Sequence, residues 1–273
     1  MTKNLYIVAT PIGNLGDISM RAIEILKGVD HILCEDTRVS EKLLNSIAPG
    51  HKFSLIVYND HNAQNVIPKI IERILNKNEV FAIISDAGTP LISDPGYKLV
   101  NACYNNNIEY SFIPGASSVI SALVLSGMPS DRFLFDGFVD KKNFEELSKI
   151  ESTIILFESP KRLISSLKIM KNYFKNRTVA IVREITKIFE EIKRGNFDDI
   201  IEYYSNKDEI KGEIVIVLSP PNIDNDAKLN ELSSLIIDML QKMSKKDACE
   251  ILSRYTNISK NAIYNFIINN NLE

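Results

Sequence analysis

Tryptophan is absent from this chain of 273 residues, and cysteine and histidine occur three times each. Cys34, Cys103 and Cys249 stand alone with no C-x-x-C pair, so neither a disulfide scaffold nor a zinc ribbon is expected. None of His31, His51 and His61 faces a carboxylate one turn away on a predicted helix, and no metal site is expected. No apolar run reaches the roughly 18 residues of a membrane span. Met1-Thr2-Lys3-Asn4 opens onto a short apolar stretch without a small-residue cleavage site, unlike a signal peptide. With reduced thiols, this points to the cytoplasm. Neither charge sign dominates: 32 Lys and Arg against 35 Asp and Glu leave −3, excluding a chain basic throughout. No G-x-G and no G-K-[ST] occurs, so a dinucleotide fingerprint and a P-loop are both missing.

What is present is ordinary globular material, 45% hydrophobic and 25% charged, long enough for two domains and a small appendage. Short β-branched runs predict strands at Leu5–Ala9, His31–Cys34, Ser54–Tyr58, Val80–Ser85 and Glu109–Ile113. Amphipathic stretches between them predict helices near 19–28, 37–47, 62–77 and 95–106, with Ser19 as an N-cap and Pro95 in a first turn. Near-continuous apolar strands alternating with helices read as a mostly parallel sheet covered on both faces. The alternation continues with strands at Phe133–Phe138, Thr153–Phe157, Thr178–Arg183 and Ile214–Leu218, and helices near 116–126, 160–174 and 196–206. The expected architecture is α/β: one unit over 1–114, a second over 115–221, and a ligand crevice between them.

Pro220-Pro221 ends the last strand and Asn222–Lys228 reads as a polar linker to a helical module over 228–273. Leu232, Leu235, Ile236, Met239 and Leu240 form one apolar stripe. Ser244 and Asp247 resemble a capping box before Ala248, Ile251, Leu252 and Tyr255. After a break at Thr256-Asn257-Ile258, Ser259 can cap a last helix bearing Ala262, Ile263, Phe266 and Ile267. The shape is that of a helix-turn-helix, but six basic and five acidic residues give it no basic face, so packing or docking is the expected role. Residues 141–194, by contrast, hold 13 basic and 7 acidic residues, a balance of +6 that leaves −9 elsewhere. This segment is either a solvated helix face or a positive patch beside a cleft, suited to a polyanion.

Three loops directly after predicted strands concentrate Gly, Pro, Ser, Thr and Asp: Ala9–Asp17, Ser85–Gly96 and Ile113–Ser118. Nine of the eleven glycines precede residue 138, which places ligand-approaching backbone mainly in the first half. In an open α/β sheet the ligand sits outside the carboxyl ends of the strands, where these loops fall. They are poor in Lys and Arg, so a di- or triphosphate fits them badly. A ligand held by backbone groups, with a carboxylate beside a positive centre, fits better. S-adenosylmethionine is one such candidate among several.

In order along the chain, LYIVATPIGNLGDISMRAIEIL from Leu5, CEDTR from Cys34, SDAGTPLISDPG from Ser85, IPGASS from Ile113 and SGMPSDRFLFDGF from Ser126 resemble the tetrapyrrole (precorrin-type) methylase family. FESPKRL from Phe157, VREITKIFEE from Val182 and KGEIVIVL from Lys211 extend the resemblance, which is strongest to the family's ribosomal RNA branch. That resemblance implies an S-adenosylmethionine-dependent enzyme of two α/β domains, a homodimer, holding the cofactor between the domains. It implies a substrate in 16S ribosomal RNA of the small ribosomal subunit, a decoding-site cytidine methylated on its ribose 2′-oxygen. Tetrapyrrole-making relatives carry G-x-G-P-G and G-D-P where this chain reads T-P-I-G-N and A-G-T-P. The chain departs from the branch after Phe138, where Val139-Asp140-Lys141-Lys142-Asn143-Phe144 replaces a longer Pro/Lys/Arg-rich loop.

On this resemblance the cofactor-binding candidates are Pro11, Asp86, Ala87, Gly88, Thr89, Pro90, Ile92, Asp94, Ala116, Ser117, Phe157, Gly212 and Glu213. Asp86 and Asp94 could hold a cationic end or a ribose; around Gly88 and Pro95 they could equally shape turns. A ribose hydroxyl is a weak acid, so a base or cation near the developing oxyanion helps. Asp36, Arg38 and Glu158 are the catalytic candidates. Against that, Asp36 could simply N-cap the helix at 37–47, and Glu158 with Arg162 could be a surface pair at i, i+4. His61, in a polar loop, is expected to be solvent-exposed. Two other readings stay open: a tetrapyrrole C-methyltransferase, and a non-catalytic RNA-binding or ribosome-assembly protein.

Overall fold

The computed structural model describes residues 3–222, 225–256 and 258–272. The chain separates into two compact units, Met1–Pro220 and Pro221–Glu273. The larger contains two five-stranded sheets. The first sheet is built from β1 (Leu5–Val8), β2 (His31–Cys34), β3 (Leu55–Val57), β4 (Phe81–Ile83) and β5 (Tyr110–Ile113), in the order β3-β2-β4-β1-β5. All its pairings are parallel. Both faces are apolar because both are covered. Tyr6, Val8, Ile32, Cys34 and Ala82 pack under α1 (Met20–Gly28) and α2 (Thr37–Ile47), through Ala22, Leu26 and Leu44. Leu5, Ile7, Leu33, Phe81 and Ile83 pack under α3 (Ala63–Lys77) and α4 (Tyr97–Asn105). From β1 the chain crosses to β2, and from its central neighbour β4 it crosses the opposite way to β5. The loops leaving β1 and β4 therefore diverge and open a crevice at their carboxyl ends.

The second sheet contains β6 (Phe133–Phe138), β7 (Thr153–Glu158), β8 (Val179–Arg183), β9 (Glu191–Gly195) and β10 (Ile214–Leu218), in the order β6-β7-β10-β8-β9. Only β6 and β7 run parallel; the other pairings are antiparallel. One face is covered by α6 (Phe144–Ser148), α7 (Leu163–Tyr173) and α8 (Phe197–Ser205), whose Phe144, Leu167, Met170 and Tyr204 are fully buried. Each such apolar side chain contributes about 1.5–3 kcal/mol by leaving water. On the other face α5 (Ser118–Ser126) lays Val119, Ala122 and Leu123 against Ile155, Val182 and Val215, and Ile12 from the first loop joins them.

Several local expectations change. Strand β9 and helix α6 are additional elements. Glu191–Gly195 alternates half-buried and exposed residues rather than showing an apolar run, and pairs only at the sheet's edge. After Phe138, Asp140 accepts a hydrogen bond from Lys142 N and starts a short helical turn that leads into α6. Pro95 precedes α4 instead of entering it; Gly96 is its N-cap. Ser19 caps α1 through Ala22 N at 3.1 Å.

In the smaller unit, α9 (Asn225–Glu231), α10 (Ser233–Leu240), α11 (Lys245–Thr256) and α12 (Lys260–Asn269) surround a core of Leu229, Ile236, Leu252, Ile263 and Phe266. Helix α9 occupies most of the stretch read as a linker because Leu229 is fully buried in that core. Ser244 accepts from Asp247 N and Ser259 from Ala262 N, starting α11 and α12. Leu235 and Tyr255 of the expected stripes are exposed. Ile223 and Asp224 of the linker, and Asn257 of the break, lie outside the described residues.

Candidate active site

The three polar loops meet at the carboxyl end of β1, joined main chain to main chain. Thr10 N donates to Gly88 O at 2.8 Å, Gly88 N to Thr10 O at 3.2 Å, and Ala9 N to Ile113 O at 3.1 Å. The buried Thr10 hydroxyl lies 3.2 Å from Ser85 O and 3.3 Å from Gly88 O, and Thr89 Oγ1 donates to Ala116 O at 3.0 Å. Gly88 adopts φ +86°, and a Cβ there would press on Ile12 at 3.1 Å. The middle loop is strained: Leu91 and Ser93 take φ of 75° and 61°, in the left-handed region that bulky side chains avoid.

Against these loops stands one end of the second sheet. A cavity of about 320 Å³ is lined by Ile12 and Ala87, by Ser118 of α5, by Phe138, Phe157 and Glu158 at the ends of β6 and β7, and by Gly212–Val215 entering β10. Ser159 and Pro160 complete the wall. Of the cofactor candidates, Ala87, Phe157, Gly212 and Glu213 line the cavity directly. Gly88, Thr89 and Ala116 lie in the hydrogen-bonded junction behind it. Pro11, Pro90, Asp86, Ile92, Asp94 and Ser117 belong to the same three loops but not to the lining. Ser118 closes the third of the polar loops, whereas Ile12 and Phe138 are lining residues that carried no polar or glycine signal in the sequence.

Outside the lining, an acidic cluster gathers at the strand ends of the first sheet. Burial, then Asp94, Asp86 and Asp60, raise the Glu35 carboxyl to about 7. Burial raises Asp94 to about 6 against a hydrogen bond from Ser85, and Asp86 is also raised, first by burial. Among the described residues, no basic side chain figures among the neighbours that shift these three. Carboxyls gathered without cations at strand ends suit a positively charged ligand group.

Asp36 differs. It N-caps α2, accepting from Arg38 N at 2.9 Å, and hydrogen bonds from the Arg38 guanidinium hold it down to about 2. Neither residue lines the cavity, and the Arg38 side chain is 85% exposed. Glu158 does line it, and its pairing with Arg162 is no surface pair, since Glu158 is only 3% exposed. Its Oε1 accepts from Ser159 N at 2.6 Å and Arg162 Nε at 2.9 Å; its Oε2 accepts from Ser166 Oγ at 2.5 Å. With both oxygens committed, Glu158 anchors the cavity wall to α7.

A latch crosses beside the cavity. Lys187 Nζ bonds Glu184 at 2.9 Å and Glu213 at 3.2 Å, and Glu184 Oε1 accepts from Glu213 N at 3.0 Å. Gly212, at φ +91°, lies where a Cβ would collide with the Glu184 carboxyl. Among the described residues no group of three His, Cys, Asp or Glu side chains is placed to hold a metal ion, and no helix is long and apolar enough to cross a membrane.

Residues 4–201 match the family described as Tetrapyrrole (Corrin/Porphyrin) Methylases. The chain is 44% identical over 276 residues to "Ribosomal RNA small subunit methyltransferase I" of Rickettsia prowazekii (strain Madrid E), covering 98% of this chain and 97% of that protein. Among solved structures, cobalt precorrin-4 methyltransferase superposes with a TM-score of 0.59 at 18% identity, covering 79% of this chain and 94% of that one. Uroporphyrin-III C-methyl transferase from Thermus thermophilus, complexed with S-adenyl homocysteine, gives 0.55 at 15% identity, covering 79% and 97%. These two share the fold of the two-sheet unit. A family match over most of the chain, with the loops and cavity in place, makes this protein a member of the tetrapyrrole (corrin/porphyrin) methylase family.

Proposed function

We propose that the chain is an S-adenosylmethionine-dependent methyltransferase of the small ribosomal subunit, modifying the ribose 2′-oxygen of a decoding-site cytidine in 16S ribosomal RNA. The observation that carries this reading is the 44% identity to a relative named as a ribosomal RNA small subunit methyltransferase, running through nearly the whole of both chains. The cavity agrees with it. Its lining holds no Lys or Arg that would bind a phosphate, and the Glu35, Asp86 and Asp94 carboxyls gather at the strand ends of the same loops. Ala87–Pro90, Ala116, Ser117, Phe157, Gly212 and Glu213 would hold the cofactor, which when bound supplies an electrophilic methyl group.

The chain's own residues align the acceptor and manage its proton. Alignment alone can remove much of the barrier to an in-line displacement. Asp36, held ionised by Arg38, is a weak base that organises the start of α2, and Glu158 is already saturated. Glu35, brought to about 7, is the carboxyl matched to accepting a proton near neutral pH. We assign the domain division to Pro114-Gly115, the setting to the cytoplasm, and the assembly to a homodimer. In support of the dimer, edge strand β5 exposes Tyr110 and Phe112, and α5 exposes Ile120 and Val124.

The deciding experiment offers purified protein labelled S-adenosylmethionine with either small subunits lacking the modification or a tetrapyrrole precursor. Label recovered in a 2′-O-methylated cytidine is the expected result. Label in the tetrapyrrole alone would overturn the reading. Sedimentation at micromolar concentration tests the dimer.

A further inference from the structure

Strand β6 ends irregularly. Its pairing with β7 runs in register from Phe133 to Phe135, then shifts before Phe138 meets Phe157, with Gly137 at φ +70°. Strict alternation would send Phe135 and Phe138 to opposite faces of the sheet. The bulge turns Phe138 so that both rings meet Phe157 edge-on, with centroids at 4.9 Å for Phe135 and 5.5 Å for Phe138. Phe138 thus lines the cavity yet stays 58% exposed. Bulges next to active sites commonly serve to re-aim a side chain, and an aromatic ring left open to solvent inside a cleft is a stacking surface.

Two kinds of ring could use it: the adenine of a cofactor or a base of the substrate. The rim of the same strand pair distinguishes them. Three and four residues beyond Phe138 come Lys141 and Lys142, and four beyond Phe157 comes Lys161, all exposed. Among the described residues none of these three ammonium groups has an ion-pair partner, and β6 and β7 are parallel, so all three follow the same end of the sheet. S-adenosylmethionine has no phosphate for them, whereas a nucleotide within an RNA strand has one on each side. The acidic cluster of Glu35, Asp86 and Asp94 belongs to the other sheet.

We propose that Phe138 is the stacking platform for the base of the nucleotide being modified, and that Lys141, Lys142 and Lys161 take the phosphates flanking it. This rests on the RNA methyltransferase reading above and names its substrate-positioning residues. Sequence-tolerant stacking on aromatic rings with lysines along the backbone is a recurrent way of holding unpaired RNA. It also gives the shortened loop after Phe138 a part in that grip through Lys141 and Lys142, with Lys161 added from beyond β7.

The test uses the full-length protein, small subunits lacking the modification, and calorimetry with S-adenosylmethionine. Phe138→Ala is expected to lower kcat/KM for subunits roughly 10- to 100-fold, leave cofactor affinity within about twofold, and be rescued by Phe138→Tyr. Cofactor binding doubles as the folding control. A combined Lys141→Gln, Lys142→Gln, Lys161→Gln variant is expected to raise KM and flatten its salt dependence by about 2 in the log–log slope. Unchanged turnover in Phe138→Ala would overturn the proposal, as would a parallel loss of cofactor affinity, which would make adenine the occupant. An unchanged salt slope would remove the lysines from it. Wild-type protein that binds cofactor but never methylates subunits would overturn the functional reading itself, and this proposal with it.

Discussion

Glu35 and Asp36 are adjacent in sequence and opposite in chemistry. Asp36 turns toward α2 and its own Arg38, which keeps it ionised down to about pH 2. Glu35 faces Asp86 and Asp94 and is held near 7, mainly by burial. For Glu35 and Asp94 the folded pKa lies above the unfolded one, so the folded chain binds protons more tightly. Their effect on stability is therefore most favourable below about pH 4.5, declines as pH rises toward about 7, and is flat above. Glu35→Gln should match wild type near pH 4 and melt about 2–4 °C higher at pH 8, because part of the penalty is screened by solvent. The same variant should lose about 10²–10⁴ in kcat and the acidic limb of the pH profile near 7. Melting curves and steady-state rates on one preparation check both. A variant that is neither stabilised nor slowed would show Glu35 to be a bystander.

At the scale of elements, the latch of Glu184, Lys187 and Glu213 holds the β8–β9 connection against the entry to β10. It depends on Gly212, whose backbone and close approach both exclude a side chain. Gly212→Ala should destabilise the chain by about 1–3 kcal/mol and weaken cofactor binding more than Lys187→Met does. Calorimetry and thermal melts of the two variants would separate strain from simple loss of an ion pair. The parallel first sheet was legible because Leu5–Val8 and Phe81–Ile83 are apolar on both faces. Strand β9 was not, since an edge strand carrying Glu191, Lys193 and Arg194 with no apolar run looks like a loop. The strand-end loops announced the cofactor side of the cavity through Gly, Pro and Asp. Phe138 announced nothing, because its placement depends on a bulge whose register only the paired strands define. Glu158 misled for a related reason: spacing to Arg162 shows a pair, while burial comes from α7 folding Ser166 over it.

Over the whole molecule, every residue lining the cavity lies within Met1–Pro220, and the smaller unit has a core of its own. A chain ending at Pro220 should bind S-adenosylmethionine with a Kd within about twofold of the full chain, since binding energy follows the groups in contact. A loss of more than tenfold would mean that the helical unit supports the cavity. The helical unit's own contribution would then be read from the truncated chain's KM for subunits.

The junction of the three loops is made largely of peptide groups: Thr10 with Gly88, Ala9 with Ile113. Peptide groups are common to all residues, so the pocket floor tolerates drift in most of the side chains above it. In a library of single substitutions, intolerance on that floor should concentrate at Gly88 and Gly115, where an added methyl meets Ile12 or Ala9 at 3.0–3.1 Å. Neighbouring positions would then be free to retune what the pocket accepts without dismantling it.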